Sequence, residues 1–324
     1  MKTKQIRQAY GEALVRIGER DERVIVLDSD VANSTKSCLF GKKFPERFFD
    51  VGISEANMAG MAAGFATVGK IPFINTFAAF MVLRAGDPIR SIIAYSNLNV
   101  KIAGAYSGLS DSYDGASHHS LIDIAFMRAI PNMSIISVSD PVETEKSIEA
   151  CLDIDGPVYI RLSRAKVPYI YDNNYNFKFG KGNILVDGSD LTIIATGYMV
   201  HKALEAVKIL KNRGISARVV DIHTIKPIDS ELLLQCAKET GAIVTVEEHS
   251  IYGGLGATVA EVIVRNYPVP MEIIGIQDVF CESGDYEQLL NKYGLCAENI
   301  AAKSKLVLSR KKIIYEKSPC AKEL

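Results

Sequence analysis

Glu55 is a lone carboxylate at the start of a segment rich in small residues, Ser54-Glu-Ala-Asn-Met-Ala-Gly-Met-Ala-Ala-Gly64. Two chemistries suit an acid in that position. With Ser54 as N-cap, Glu55 offsets the positive end of a helix, an effect of about 0.3–1 kcal/mol. Held instead on an apolar wall of Ile53, Met58 and Met61, it exchanges a proton with a heterocycle. The second use calls for aromatic neighbours and a further acid–base group, and both follow in the chain. Ile71-Pro-Phe-Ile-Asn-Thr-Phe77-Ala-Ala-Phe80 reads as a strand entering aromatic-lined turns, and Asp114-Gly-Ala-Ser-His118-His119 lies in a loop after the next strand, 98–104.

The elements that must hold these residues alternate regularly. Ile6, Ala9, Tyr10, Ala13, Leu14 and Ile17 recur at helical spacing over residues 4–20, and Val24-Ile-Val-Leu27 is a short buried strand ending in Asp28-Ser-Asp30. The Glu55 helix precedes strand 71–74, and helices 78–95, 120–129 and 141–152 precede strands 100–104, 134–138 and 157–161, an alternation that predicts a parallel sheet. Residues 166–182, rich in Tyr, Asn, Pro and Gly, interrupt it as a linker. Strands 191–195, 216–222 and 242–246 then alternate with helices 199–213 and 229–240. The expected fold is α/β, with two consecutive α/β domains over 1–165 and 183–324. Gly253-Gly-Leu-Gly256 lacks a complete phosphate-cradle pattern and reads as the start of a helix against the sheet.

A chain of 324 residues can bury two cores, and 37 basic against 38 acidic residues give no nucleic-acid footprint. Residues 59–83 carry only Lys70 as a charge and are long enough to span a bilayer, yet Gly64, Gly69, Pro72, Asn75 and Thr76 divide them into helix, turn and buried strand, so no membrane span is expected. Six cysteines without a C-x-x-C pair, and an amino terminus without a signal pattern, indicate a reduced cytoplasmic protein with free thiols.

The Glu55 segment, Phe77-Ala-Ala-Phe80, Asp114-Gly-Ala-Ser-His118, Asp221-Ile-His-Thr-Ile-Lys-Pro-Ile-Asp229 and Val246-Glu-Glu-His249-Ser-Ile-Tyr-Gly-Gly-Leu-Gly256 together resemble the transketolase family. The resemblance covers essentially the whole chain and matches the half of that family carrying the pyrimidine-binding and carboxy-terminal domains. It implies a thiamine diphosphate enzyme that moves a two-carbon ketol unit between sugar phosphates or their analogues. It makes Glu55 the acid facing the aminopyrimidine ring nitrogen, Phe77 and Phe80 its packing partners, and Asp30 a cofactor-site acid. Arg7, Ser34 and Arg164 match positions that grip the sugar phosphate, Asp114 one that contacts substrate hydroxyls, and His118 a histidine near the reacting carbon. His119 reads as a neighbour, His201 as a solvated helix residue, and His223 and His249 as structural or interface groups.

Three departures bear on substrate choice. Tyr106 stands where many members place a substrate-binding histidine, Leu83 and Gly86 replace larger or aromatic residues, and Ser112-Tyr113 replaces Gly-Glu before Asp114. The family's metal motif, Gly-Asp-Gly followed by Asn, does not occur, so no metal ligand is assigned here. The resemblance then implies a split enzyme, in which a separate amino-terminal subunit holds Mg²⁺ or Ca²⁺ and the diphosphate, assembled as a heterotetramer. A 2-oxoacid dehydrogenase β subunit and a non-catalytic partner subunit are the alternatives. Leu162-Ser-Arg164, Asp114 to His118 and His223-Thr-Ile-Lys-Pro227 oppose the first, and the presence of Glu55 opposes the second.

Overall fold

The computed structural model describes residues 2–316, which leaves Cys320 outside the described residues. Two consecutive α/β domains are present, each built on its own sheet. The first sheet contains β2 (Val24–Asp28), β3 (Phe48–Asp50), β4 (Ile71–Phe77), β5 (Lys101–Ala105), β6 (Ser134–Ser137) and β7 (Val158–Leu162), all parallel. Every residue of β2, β5 and β7 is buried, as expected of strands covered by helices on both faces. The second sheet is ordered β14-β13-β10-β11-β9, from β9 (Asn183–Val186), β10 (Leu191–Ala195), β11 (Ala217–Asp221), β13 (Ile243–Ser250) and β14 (Met271–Ile276), with β9 antiparallel.

Register brings the functional segments to one edge. Asp28 lies beside Asp50 and Asn75, Phe77 beside Ala105, and Ala105 beside Leu162. The residues that follow these strand ends, including Tyr106 and Arg164, therefore emerge together at the carboxyl edge of the sheet, where open α/β folds bind ligands.

Two short strands depart from the expected plan. The proposed linker begins with β8 (Lys166–Pro168), which returns to pair antiparallel with β1 (Thr3–Gln5). A further strand, β12 (Thr224–Lys226), comes from the second half of the chain yet pairs antiparallel with β6 and ends the first sheet. The single helix expected over 78–95 is instead a helix at Ala78–Leu83, a break at Arg84 and Ala85, and a second helical stretch that starts at Gly86–Pro88 and continues as π-helix over Ile89–Ala94. Gly86 sits under the Phe126 ring with no room for a Cβ, and Pro88 cannot donate to a continuing helix. The apolar run 59–83 forms helix, turn, buried strand and then the short Ala78–Leu83 helix, and no helix among the described residues is long and apolar enough to cross a membrane.

A buried acidic seam joins the domains. Ser139 Oγ, beyond β6, lies 2.9 Å from Glu143 Oε2 and 2.8 Å from Asp221 Oδ2, and Tyr171 donates its hydroxyl to the same Asp221 oxygen at 2.9 Å. Burial pushes the Asp221 carboxyl up to about 7 and raises Glu143 well above the ordinary range. His201 belongs to this region too. It is buried, not solvated, because its ring Nε2 lies 2.8 Å from the Ser139 carbonyl across the seam.

Candidate active site

Glu55 opens the Glu55–Thr67 helix and is only 4% exposed. The apolar wall expected around it is incomplete, since Ile53 points to solvent. What faces Glu55 is Arg84, whose Nη1 donates to Glu55 Oε1 at 2.9 Å while its guanidinium lies 3.8 Å from the centroid of the Phe80 ring. Ser54 occupies the N-cap position, but its hydroxyl donates to the Val51 carbonyl at 2.9 Å instead of capping the helix. Arg84 went unnoticed in the sequence. Its spacing of four from Phe80 was the available signal, because i and i+4 share a helix face.

The aromatic residues form one continuous patch. Phe77 and Phe80 have centroids 5.9 Å apart, Phe80 meets the His118 ring edge-on at 5.0 Å, and Phe77 lies 4.6 Å from Tyr106. The patch is placed by the end of β4, the short Ala78–Leu83 helix and the loop after β5. His118 Nδ1 is 3.0 Å from Ser117 Oγ.

Tyr106 divides this patch from a basic one. Its hydroxyl bonds to Arg7 Nη1, and the guanidinium groups of Arg7 and Arg164 lie 5.4 and 5.2 Å from its ring centroid. Arg7 also donates to the Ser34 carbonyl at 3.1 Å, so Ser34 meets it through backbone and not through its hydroxyl. Arg164 Nη1 donates to Asp111 Oδ1 at 3.3 Å. Asp111, which sequence reasoning missed, is buried, and its carboxyl is pushed up to about 6 by burial and by the adjacent Asp114. Donor atoms of Asp111, Asp114 and His118 lie within 4.8 Å of one another, a cluster that could hold a cation, although Arg164 already supplies positive charge to it.

Asp30 is not brought into this cluster. It lies exposed past the end of β2 at a φ of 62°, its backbone N–H donating to Asp50 Oδ1 at 3.1 Å. Its neighbour Asp28 is the buried acid, accepting from Val31 N–H, Thr35 Oγ1 and Ser37 Oγ and thereby shaping the loop that carries Ser34. Of the remaining histidines, His119 is buried with both ring nitrogens unpartnered, beside a cavity of about 300 Å³ that both domains line through residues such as Leu83 and Phe280. His223 and His249 are structural: the former packs on Phe177 at 4.3 Å, and the latter accepts Ala125 N–H at its Nε2.

Known proteins share this architecture. Residues 2–169 match the family model of the transketolase pyrimidine-binding domain, and residues 180–300 that of the transketolase C-terminal domain. The chain is 40% identical to the 6-deoxy-6-sulfo-D-fructose transketolase subunit SqwH of Clostridium sp. (strain MSTE9), across 94% of this chain and 95% of that one. It is 41% identical to an apulose-4-phosphate transketolase subunit of Phocaeicola vulgatus, across 91% and 94%. A solved structure described as a split gene transketolase, inactive beta4 tetramer, superposes with a TM-score of 0.88 at 46% identity, covering 95% of this chain and 99% of that one. The chain belongs to the transketolase family and carries its pyrimidine-binding and C-terminal domains.

Proposed function

We propose that the chain is the carboxy-terminal subunit of a two-chain, thiamine diphosphate-dependent transketolase that moves a ketol unit between sugar phosphates or closely related anionic sugars. The observation that carries this reading is the opposition of a buried carboxylate, Glu55, and a paired-arginine site across one aromatic patch. The residues fit the cofactor that the family implies: Glu55 engages Arg84 through Oε1 alone, so Oε2 is left to meet a ring nitrogen, and Phe77 and Phe80 offer rings for a flat heterocycle. When bound, thiamine diphosphate supplies the stabilisation of a carbanion next to the substrate carbonyl.

The chain's own groups bind, orient and move protons around that chemistry. Glu55 holds a proton against the pyrimidine nitrogen, with Arg84 fixing its orientation. His118, on the edge of Phe80, moves a proton at the substrate hydroxyl nearest the reacting carbon. Asp114 accepts from substrate hydroxyls, while Arg7 and Arg164, with the Ser34 loop behind Arg7, take the anionic terminus. Asp30, at the exposed end of β2, is assigned to the side on which the partner's part of the cofactor lies. A separate amino-terminal subunit is assigned the metal, Mg²⁺ or Ca²⁺, and the diphosphate, in a heterotetramer. Residues 1–165 and 183–324 are taken as the two domains, with 166–182 as a linker fastened at its start by β8. Free thiols at Cys38, Cys151, Cys236, Cys281 and Cys296 support a cytoplasmic setting.

The test is reconstitution. Ketol transfer should appear when the chain is mixed with its amino-terminal partner, thiamine diphosphate and Mg²⁺, and should be absent from the chain alone. Robust transfer by the purified chain without a partner would overturn the split-enzyme reading.

A further inference from the structure

The Val246-Glu-Glu-His249 stretch at the end of β13 is richer in polar side chains than its own domain needs. Glu247 is used locally, accepting Leu255 N–H and Gly256 N–H at 2.7 and 2.8 Å where the next helix starts. Glu248 leaves its domain. Its Oε1 accepts the Leu109 N–H at 2.6 Å, in the loop that follows β5, and its Oε2 accepts the Tyr286 hydroxyl at 2.9 Å. Arg161 of β7 fixes the same strand end by donating to the Glu248 carbonyl at 2.8 Å while it pairs with Asp123.

The loop is built flush against this carboxylate. Gly108 has a φ of 64°, and a Cβ there would collide with the Glu248 carboxyl group. Two residues earlier Tyr106 adopts a φ of 58°, a left-handed conformation that strains a non-glycine residue and persists only when the surroundings enforce it. The enforcing bonds come partly from the first domain, through Ser107 N–H to the Leu162 carbonyl at 3.1 Å, and partly from the second, through Glu248 and through Gly284 N–H to the Ser112 carbonyl at 2.9 Å. Tyr106 is the residue around which Arg7 and Arg164 are arranged.

We propose that Glu248 is a positioning residue through which the carboxy-terminal domain fixes the Tyr106–Ser112 loop and so sets the geometry of the two-arginine anion site. The inference rests on the ketol-transfer reading and gives the carboxy-terminal domain a part in substrate choice. Neither Glu248 nor Tyr286 touches the reacting atoms; both act through the loop.

The test uses the reconstituted two-chain enzyme with Glu248→Met, which keeps the length of the side chain and removes both acceptors, and Glu248→Gln, which keeps an acceptor for Leu109 while the Tyr286 hydroxyl turns to accept the amide. For Glu248→Met, KM for a ketose phosphate donor should rise about tenfold, the scale of one buried donor left unpaired, with kcat changing much less. The matching free ketose should lose less than about threefold, cofactor C2–H exchange should be unchanged, and Glu248→Gln should recover most of the loss. If Glu248→Met does not fold, Tyr286→Phe, which deletes one hydroxyl, should show the same donor-selective rise in KM at a smaller size. Equal losses on both donors, or no recovery by Gln, would overturn the positioning role. Absence of ketol transfer by the unmodified two-chain enzyme would overturn the functional reading on which it rests.

Discussion

Replacing Arg164 with alanine tests the proposed anion site. In the structure its guanidinium faces the Tyr106 ring at 5.2 Å, Arg7 faces the same ring at 5.4 Å, and Asp111 sits 3.3 Å from Arg164 Nη1. A terminal phosphate held by both arginines loses with Arg164 one set of charge-assisted hydrogen bonds, about 1.5–3 kcal/mol, or about 10- to 150-fold in kcat/KM. The variant also strips Asp111 of its cation. Burial and Asp114 hold that carboxyl up at about 6 while Arg164 and His118 pull it down, so deleting Arg164 moves Asp111 further up and lessens the anionic charge beside the phosphate at the acid end of the range. The extra repulsion grows as Asp111 ionises, so the loss should widen as pH rises from about 6 to 8.5. The assay is kcat/KM of the two-chain enzyme for a ketose phosphate and for the matching free ketose, which should lose less than about threefold. Equal losses on the two donors would refute the anion-site assignment, and a loss independent of pH would refute the part given to Asp111.

Two further outcomes are expected. Glu55→Gln should leave folding and partner association intact while kcat falls about 10²- to 10⁴-fold, with cofactor C2–H exchange slowed in parallel; unchanged exchange in the mutant complex would reduce Glu55 to a helix-end charge paired with Arg84. Asp221, held up at about 7 in the folded chain, binds its proton more tightly there than when unfolded, so its contribution to stability is complete below the ordinary aspartate range and is lost as pH rises through about 7. The midpoint of thermal unfolding should fall more steeply between pH 5 and 8 for the native sequence than for Asp221→Asn, and parallel curves would remove Asp221 as the titrating group.

The interior of both domains was legible where a buried strand is a largely apolar run, and Val24 to Leu27 and Leu191 to Ala195 announce themselves locally. β8 and β12 did not, since three residues hold no period and exist as strands only because a distant edge accepts them. The break just before Gly86–Pro88 is visible in the proline, but apolar spacing alone runs straight through it. Of the residues proposed for the site through motif, Glu55, Phe77, Phe80, Tyr106, Asp114, His118, Arg7 and Arg164 lie about one sheet edge, whereas Ser34 offers only its carbonyl and Asp30 stands apart. Asp111 was not found through motif, because its partner Arg164 lies far along the chain; Arg84 was passed over although its spacing from Phe80 was there to read, and Glu248 lay in a quoted motif with no role attached, since its partner Leu109 is in the other domain. His201 failed in the same way, since the Ser139 carbonyl that buries it lies in the other domain.

The strand β12 bears on how such a chain can be divided. Lys226, at its end, donates to the Arg128 and Ile130 carbonyls at 2.9 and 2.6 Å, so the first sheet is closed by material encoded well after its last core strand. A gene break placed in the linker would yield an upstream product with β6 as a bare edge, open to pairing with any passing strand, and a downstream product with an orphaned β12. A division at that point thus parts β12 from the edge it covers, and the geometry favours keeping the two domains on one chain.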